Sequence, residues 1–184
     1  MQTLSLPAFG SSDEANSTLN VVVAYEDLET GKRAMKTYEY MVEQLGGQCL
    51  FANQMWKFDV LAVPKLKEIA AKDAAAAEII IVSAHEGKQL PKEVRGWIEL
   101  WLSYRTQATA LVGLFGSESV DNPVRSYLAD VAQRAKIAFF CQPGIWPETT
   151  DNARQPWKEN ENTLSFLAGA VQEAPAISHW GINE

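Results

Sequence analysis

The sequence predicts an α/β domain, three-layered and doubly wound around a five-stranded parallel sheet of order 2-1-3-4-5. Three features carry that expectation. Short β-branched or apolar runs recur five times, segments with a period near 3.6 separate them, and the runs are apolar rather than alternating. A strand apolar on both faces needs cover on both, which implies a parallel sheet between helical layers. Five such strands alternating with four helices, plus a late helical pattern at Leu164, Leu167, Ala168 and Val171, match the open doubly wound layout. Right-handed crossovers follow from it.

Residues 1–18 turn polar after a short apolar start and lack any period that would bury a face, so a flexible N-terminal arm is expected there. "LNVVVAY" is the first strand, over 19–25. Ala34, Met35, Tyr38, Met41, Val42 and Leu45 then form a helical stripe that Gly46 and Gly47 stop. The second strand is expected over 47–52. "MWKFDVLA" follows it, with Trp56 and Phe58 packing a loop and Asp59 capping the next helix. Pro64 opens that helix, whose stripe is Leu66, Ile69, Ala70, Ala74 and Ala77.

The third strand lies over 78–84, within "EIIIVSAHEGKQL". Behind Pro91 come Val94, Trp97, Ile98, Trp101 and Leu102, then a fourth strand over 108–115. Asp121 or Asn122 caps the fourth helix, with Pro123 following and Val124, Leu128, Val131, Ala132 and Ala135 facing inward. The fifth strand is expected over 136–141. A long Pro-containing loop over 142–162 leads to the last helical pattern and completes a single domain over 19–174. Residues 175–184 are read as a docked C-terminal tail. Trp146, Trp157 and Trp180 lie in that loop and tail, and free tryptophans would be an exposed liability. They would cover the rim of their own sheet or a second copy.

A chain of 184 residues fits one domain and buries roughly 70% of its unfolded surface, so no disulfide or metal is needed to hold it. Sixteen basic against 23 acidic residues give a net charge of −7, which argues against nucleic acid as a partner. Cys49 and Cys141 stand apart without metal-ligand spacing, as in a reducing compartment. The strand order puts them on opposite edges, roughly 19 Å apart and beyond disulfide reach. There is no apolar run of membrane-spanning length and no secretory pattern at the start, so a cytoplasmic protein with no membrane partner is expected.

Ligands of open α/β sheets bind beyond the carboxyl ends of the strands, at the switch point between the first and third. Tyr25, Glu26, Asp27 and Thr30 follow the first strand, Ser83, His85 and Glu86 the third, and Ser117 the fourth. Phosphoryl transfer of the receiver type needs an acidic pair for Mg²⁺, an aspartate ending the third strand, a hydroxyl after the fourth and a lysine after the fifth. Glu26 and Asp27 supply the pair and Ser117 a hydroxyl, but "SAHE" holds no aspartate and "KIAFFCQPG" no following lysine. Flavin mononucleotide would want hydroxyls and backbone N–H groups at the first helix. "LETGKRA" offers only Thr30 and Gly31, beside three carboxylates. Ser83 or Ser117 with His85 lacks the Gly-x-Ser-x-Gly elbow of a hydrolase. Glu26, Asp27, His85 and Glu86 form a weak set for a divalent ion. The plain alternative is that His85 and Glu86 cap the loop before Pro91.

Together "MWKFDVLA", "AEIIIVSAHEGKQLPKEVRGWIELWL" and "KIAFFCQ" resemble an uncharacterised bacterial α/β protein family of unknown function, over about residues 19–141. The resemblance implies a bacterial cytosolic protein and transfers no catalytic residue. In outline the fold is also similar to flavodoxin and receiver domains, a likeness that implies no activity by itself. The expected function is a non-enzymatic regulatory or protein-interaction module, receiver-like but without the phosphoacceptor aspartate. No cofactor or metal is expected, and the partner would be another protein or a second copy. The alternative is a small-molecule or nucleotide-binding enzyme using Tyr25, Glu26, Asp27, Ser83 and His85.

Overall fold

The structure, a computed structural model, describes residues 17–47, 49–86, 89–116 and 122–143. Five parallel strands run β1 (Thr18–Tyr25), β2 (Leu50–Lys57), β3 (Ile79–Ser83), β4 (Ala110–Phe115) and β5 (Ala138–Pro143). Four helices separate them: α1 (Leu28–Leu45), α2 (Pro64–Ala76), α3 (Lys92–Ser103) and α4 (Pro123–Ala135). Strand order is β2-β1-β3-β4-β5, as the sequence predicts. The loop over 142–162 beyond Pro143, the last helical pattern, the docked tail, Trp146, Trp157, Trp180 and Ser117 lie outside the described residues.

Central strands are buried on both faces because every residue of β3 and β4 is apolar, glycine or, at Ser83, internally bonded. Even-numbered strand residues Val22, Ile80 and Val82 face α2, α3 and α4. Odd-numbered Val21, Val23, Ile79 and Ile81 face α1. On α3, the i, i+3, i+4, i+7 stripe of Val94, Trp97, Ile98 and Trp101 is fully buried. Each of those tryptophans removes on the order of 200 Å² from water, about 5 kcal/mol before ordering costs. The exposed fork of Arg134 on Glu99, at 2.8 and 3.1 Å, ties α4 to α3 but contributes under about 1 kcal/mol.

At the amino edge Glu78 fastens three strands. Its carboxylate accepts from Asn20 N at 2.7 Å and Asn20 Nδ2 at 3.2 Å, and its carbonyl accepts from Thr109 N at 2.8 Å and Thr109 Oγ1 at 3.0 Å. Asn122 caps α4, its Oδ1 accepting from Val124 N at 2.9 Å, and Asp121 lies outside the described residues. No helix among the described residues is long and apolar enough to cross a membrane. Cys49 and Cys141 are free thiols, both raised in pKa by burial.

Several expected boundaries move. β1 begins at Thr18, inside the expected arm, and Ser17 O accepts from Leu50 N at 3.1 Å. The second strand runs from 50 to 57 rather than 47 to 52, so Trp56 lies within β2 and Phe58 opens a 3-10 helix, Phe58–Ala62. An edge strand has one neighbour, so "ANQ" is tolerated where an apolar run is not required. Asp59 caps no helix: it pairs with Lys57 at 2.6 Å, and Val63 precedes α2 without a side-chain cap. On α2 the buried row is Ala70, Ala71, Ala74 and Ala75, and Ile69 is 49% exposed. On α1 the polar Thr30 and Thr37 are buried, while Met35 and Val42 sit half-buried at the flank. Helix α1 crosses the sheet one notch round from the expected stripe.

Candidate functional site

β1 delivers Tyr25 and Glu26 to the carboxyl rim, and Asp27 turns the chain into α1. Asp27 has extended backbone angles, which frees its carboxylate to accept from Thr30 N at 3.0 Å. Thr30 Oγ1 answers by accepting from Asp27 N at 2.8 Å and Glu26 N at 3.0 Å. This reciprocal box satisfies donors that a helix start otherwise leaves open. Gly31 follows because a Cβ there would sit 2.8 Å from the Tyr25 ring, which lies against the first turn.

β3 brings Ser83 and His85 to the same place. Register sets Tyr25 beside Ser83, and Glu26 N donates to Ser83 O at 3.1 Å. Ser83 is 0% exposed, and its hydroxyl donates inward to Thr30 O at 2.8 Å. It is a structural tie between β3 and α1, with no freedom to attack a ligand. His85 is placed twice: its N–H donates to Glu26 Oε2 at 2.8 Å, and its Nε2 lies 2.7 Å from Asp27 Oδ2. The loop-cap expectation for His85 is therefore replaced by a bridge across 58 residues of sequence. Glu86 is half-buried next to it.

The pair polarises both groups. Asp27 is held down to about 2, first by the Thr30 N–H and then by the His85 ring. His85 is raised above its ordinary value, first by its hydrogen bond to Asp27 and further by Asp27, Glu26 and Glu29 as charges, against a partial desolvation. Both side chains remain accessible, at 37% for His85 and 47% for Asp27. The pairing thus favours the protonated imidazole beside the carboxylate.

Two rim residues escaped the sequence reading. Arg33, 12% exposed, reaches from α1 over the ends of β3 and β4, with Nη1 3.4 Å from Ala84 O. A Cβ at Gly116 would lie 3.5 Å from its Nη2. Its partner Glu29 stands 3.7 Å away, one helical turn earlier. That i, i+4 spacing in "LETGKRA" was the available signal. Lys57 enters beside Tyr25 because β2 extends further than expected, and Asp59 raises its pKa.

The chemistry this rim offers is limited by its own bonding. Backbone N–H groups of residues 26, 27, 30, 31, 84 and 85 all donate to oxygens of the chain itself. An incoming phosphate would compete with Asp27 and Thr30 for the positive end of α1. Both Asp27 oxygens are engaged, and no group of three His, Cys, Asp or Glu side chains converges among the described residues to hold a metal.

No protein-family model matches the chain, and no curated protein matches it. Among solved structures, a flavodoxin-like domain from Synechococcus aligns at 14% identity over 84% of this chain and 99% of its own, with a TM-score of 0.46. Rubredoxin oxygen:oxidoreductase from Desulfovibrio gigas aligns at 16% identity over 85% of this chain and 37% of its own, with a TM-score of 0.47. The flavodiiron core from Synechocystis aligns at 16% identity over 85% and 37%, with a TM-score of 0.53. The chain thus spans about a third of the length of the last two. At such identity the likeness concerns architecture alone, and the architecture of this chain is flavodoxin-like.

Proposed function

We propose that the domain is a non-enzymatic regulatory or protein-interaction module, receiver-like in outline and without a phosphoacceptor. One observation carries the reading: at the entry to α1 the carboxylate of Asp27 already holds Thr30 N, the Thr30 hydroxyl holds Glu26 N and Asp27 N, and Glu29 adds a second carboxylate in the first turn, so an anion meets negative charge there. The end of β3 supports it, because the residue standing there is a buried serine bonded to Thr30 O rather than a carboxylate facing solvent. With no carboxylate, no acyl phosphate forms.

A second reading rests on the His85–Asp27 pair, an accessible imidazole oriented by a carboxylate and so equipped for proton transfer in a small-molecule or nucleotide-binding enzyme. Native mass spectrometry and an absorbance scan of the freshly purified protein separate the two. The module reading expects the apo mass and no flavin band. A stoichiometric flavin or nucleotide overturns it. With acetyl phosphate and Mg²⁺, labelling is expected to stay at background in wild type and Asp27→Asn alike. Labelling that Asp27→Asn abolishes would refute the absence of an acceptor.

A further inference from the structure

The outer edge of β2 is long and, among the described residues, unpaired. It spans eight residues with unbroken register against β1, from Thr18 beside Leu50 to Tyr25 beside Lys57, so no bulge twists it away. It contains no proline, and its one charge is the last residue. Natural edges are normally blunted by such devices. The opposite edge strand, β5, is shorter and ends in Pro143. Among the described residues nothing pairs with β2 on its outer side.

Its backbone groups can be assigned. Leu50 N donates to Ser17 O, toward β1. In a parallel ladder alternate residues address the same neighbour, so Leu50, Ala52, Gln54 and Trp56 serve β1. Phe51, Asn53, Met55 and Lys57 turn their N–H and C=O groups outward. We infer that this edge pairs antiparallel with β2 of a second copy about a twofold axis at Asn53, joining two sheets into one of ten strands.

The register follows from the side chains. With Asn53 opposite Asn53 of the second copy, Phe51 falls opposite Met55 and Leu50 opposite Trp56, at both ends of the seam. Leu50 is 55% and Met55 36% exposed in the single chain, an apolar pair otherwise left in water. Sliding by one step in either direction that keeps outward groups facing outward sets Phe51 against Asn53 or Lys57. Of these three registers, the Asn53-centred one matches apolar to apolar on both faces and keeps the whole strand paired.

Two further features agree. A groove of about 430 Å³ beside Phe51, lined by Tyr38, Val42, Leu50 and Phe51, lies where Met55 of the second copy would enter. Glu39 and Glu43 rim that groove, at the carboxyl half of α1, whereas the exposed Lys32 and Lys36 stand at its amino half. A twofold that reverses β2 also reverses α1. The acidic half of each helix then lies toward the basic half of the other, a complementary field rather than direct ion pairs. A basic foreign strand would meet the acidic half and be repelled by the other, so the occupant that fits both is a second copy.

This edge is separate from the rim carrying His85, and either reading can fail without the other. Such a seam buries an area at the small end of specific interfaces, about 1,000 Å², the range in which weak and transient association is common. Sedimentation of the full chain from about 1 to about 300 µM is expected to show reversible dimerisation. Met55→Lys is expected to weaken it at least about tenfold by setting a charge against Phe51, while Ile69→Lys, on exposed α2, leaves it unchanged. In the proposed register the two residues at position 53 are about 5.5 Å apart, within disulfide range. Oxidised Asn53→Cys should therefore form a covalent dimer above the wild-type baseline, and Gln54→Cys should not. A monomer at every concentration, a dimer indifferent to Met55→Lys, or crosslinking through position 54 instead of 53 overturns the inference.

Discussion

Replacing Thr30 with valine keeps the shape of a side chain that is 0% exposed and deletes one hydroxyl. That oxygen accepts from Asp27 N at 2.8 Å and from Glu26 N at 3.0 Å. The two donors do not fare alike. Glu26 N also donates to Ser83 O at 3.1 Å and keeps a partner, whereas Asp27 N donates to the Thr30 hydroxyl that the substitution removes. One orphaned donor costs about 1–3 kcal/mol, and the half-buried position of Asp27 lets water return part of it, leaving about 1.5 kcal/mol. For a chain of this size that corresponds to a fall of about 3–6 °C in melting midpoint. Thermal and urea unfolding at pH 7 of Thr30→Val against Thr30→Ser measures it, since serine retains the hydroxyl and loses only a methyl. A valine variant within about 1 °C of wild type, or a serine variant that falls as far, refutes the assignment of the loss to the capping box.

The remaining expectations concern charge and packing. Because His85 is raised above 6.5, its pairing contributes stability that is fully present below 6.5 and is lost as pH rises through the raised value. Asp27, held down to about 2 from 3.8, contributes above 3.8 and loses that contribution as pH falls toward 2. The link is accordingly strongest between about pH 4 and 6.5. An NMR titration of the His85 ring should give a lower pKa in Asp27→Asn than in wild type, and equal values would show that the pair does not form. Gly113→Ala should lower the urea midpoint at unchanged slope, by about 1–3 kcal/mol of overpacking. The new Cβ would stand 2.9 Å from the ring of Phe115, which is 1% exposed and has nowhere to swing. An unshifted midpoint would mean that the strand yields.

What the sequence made legible was whatever burial on both faces imposes. "IIIVS" and "ALVGLF" are strands because their composition suits nothing but a covered sheet, and the stripe of Val94, Trp97, Ile98 and Trp101 fixes how α3 lies. β2 was misplaced because an edge relaxes that demand, so polar Asn53 and Gln54 hid its second half. At the rim, Asp27 and His85 were both foreseen as candidates, but not as partners. Their contact depends on β1 and β3 ending level, a tertiary fact that local pattern does not encode. Arg33 was passed over for a related reason: an arginine on a helix reads as solvent-facing until the strand ends beneath it are in place.

Glu78 gives the two ends of the sheet different lifetimes. Its carboxylate and carbonyl hold β1 and β4 to β3 at the amino edge, about 20 Å of strand away from His85. Opening the His85–Asp27 bridge therefore leaves the β1–β3–β4 ladder clasped at its far end. The carboxyl rim can exchange its amide hydrogens through small, local excursions, while the central strands exchange only when the whole domain unfolds. Motion at the rim is accordingly a local event that leaves the sheet assembled, even where a rim substitution lowers the stability of the domain as a whole.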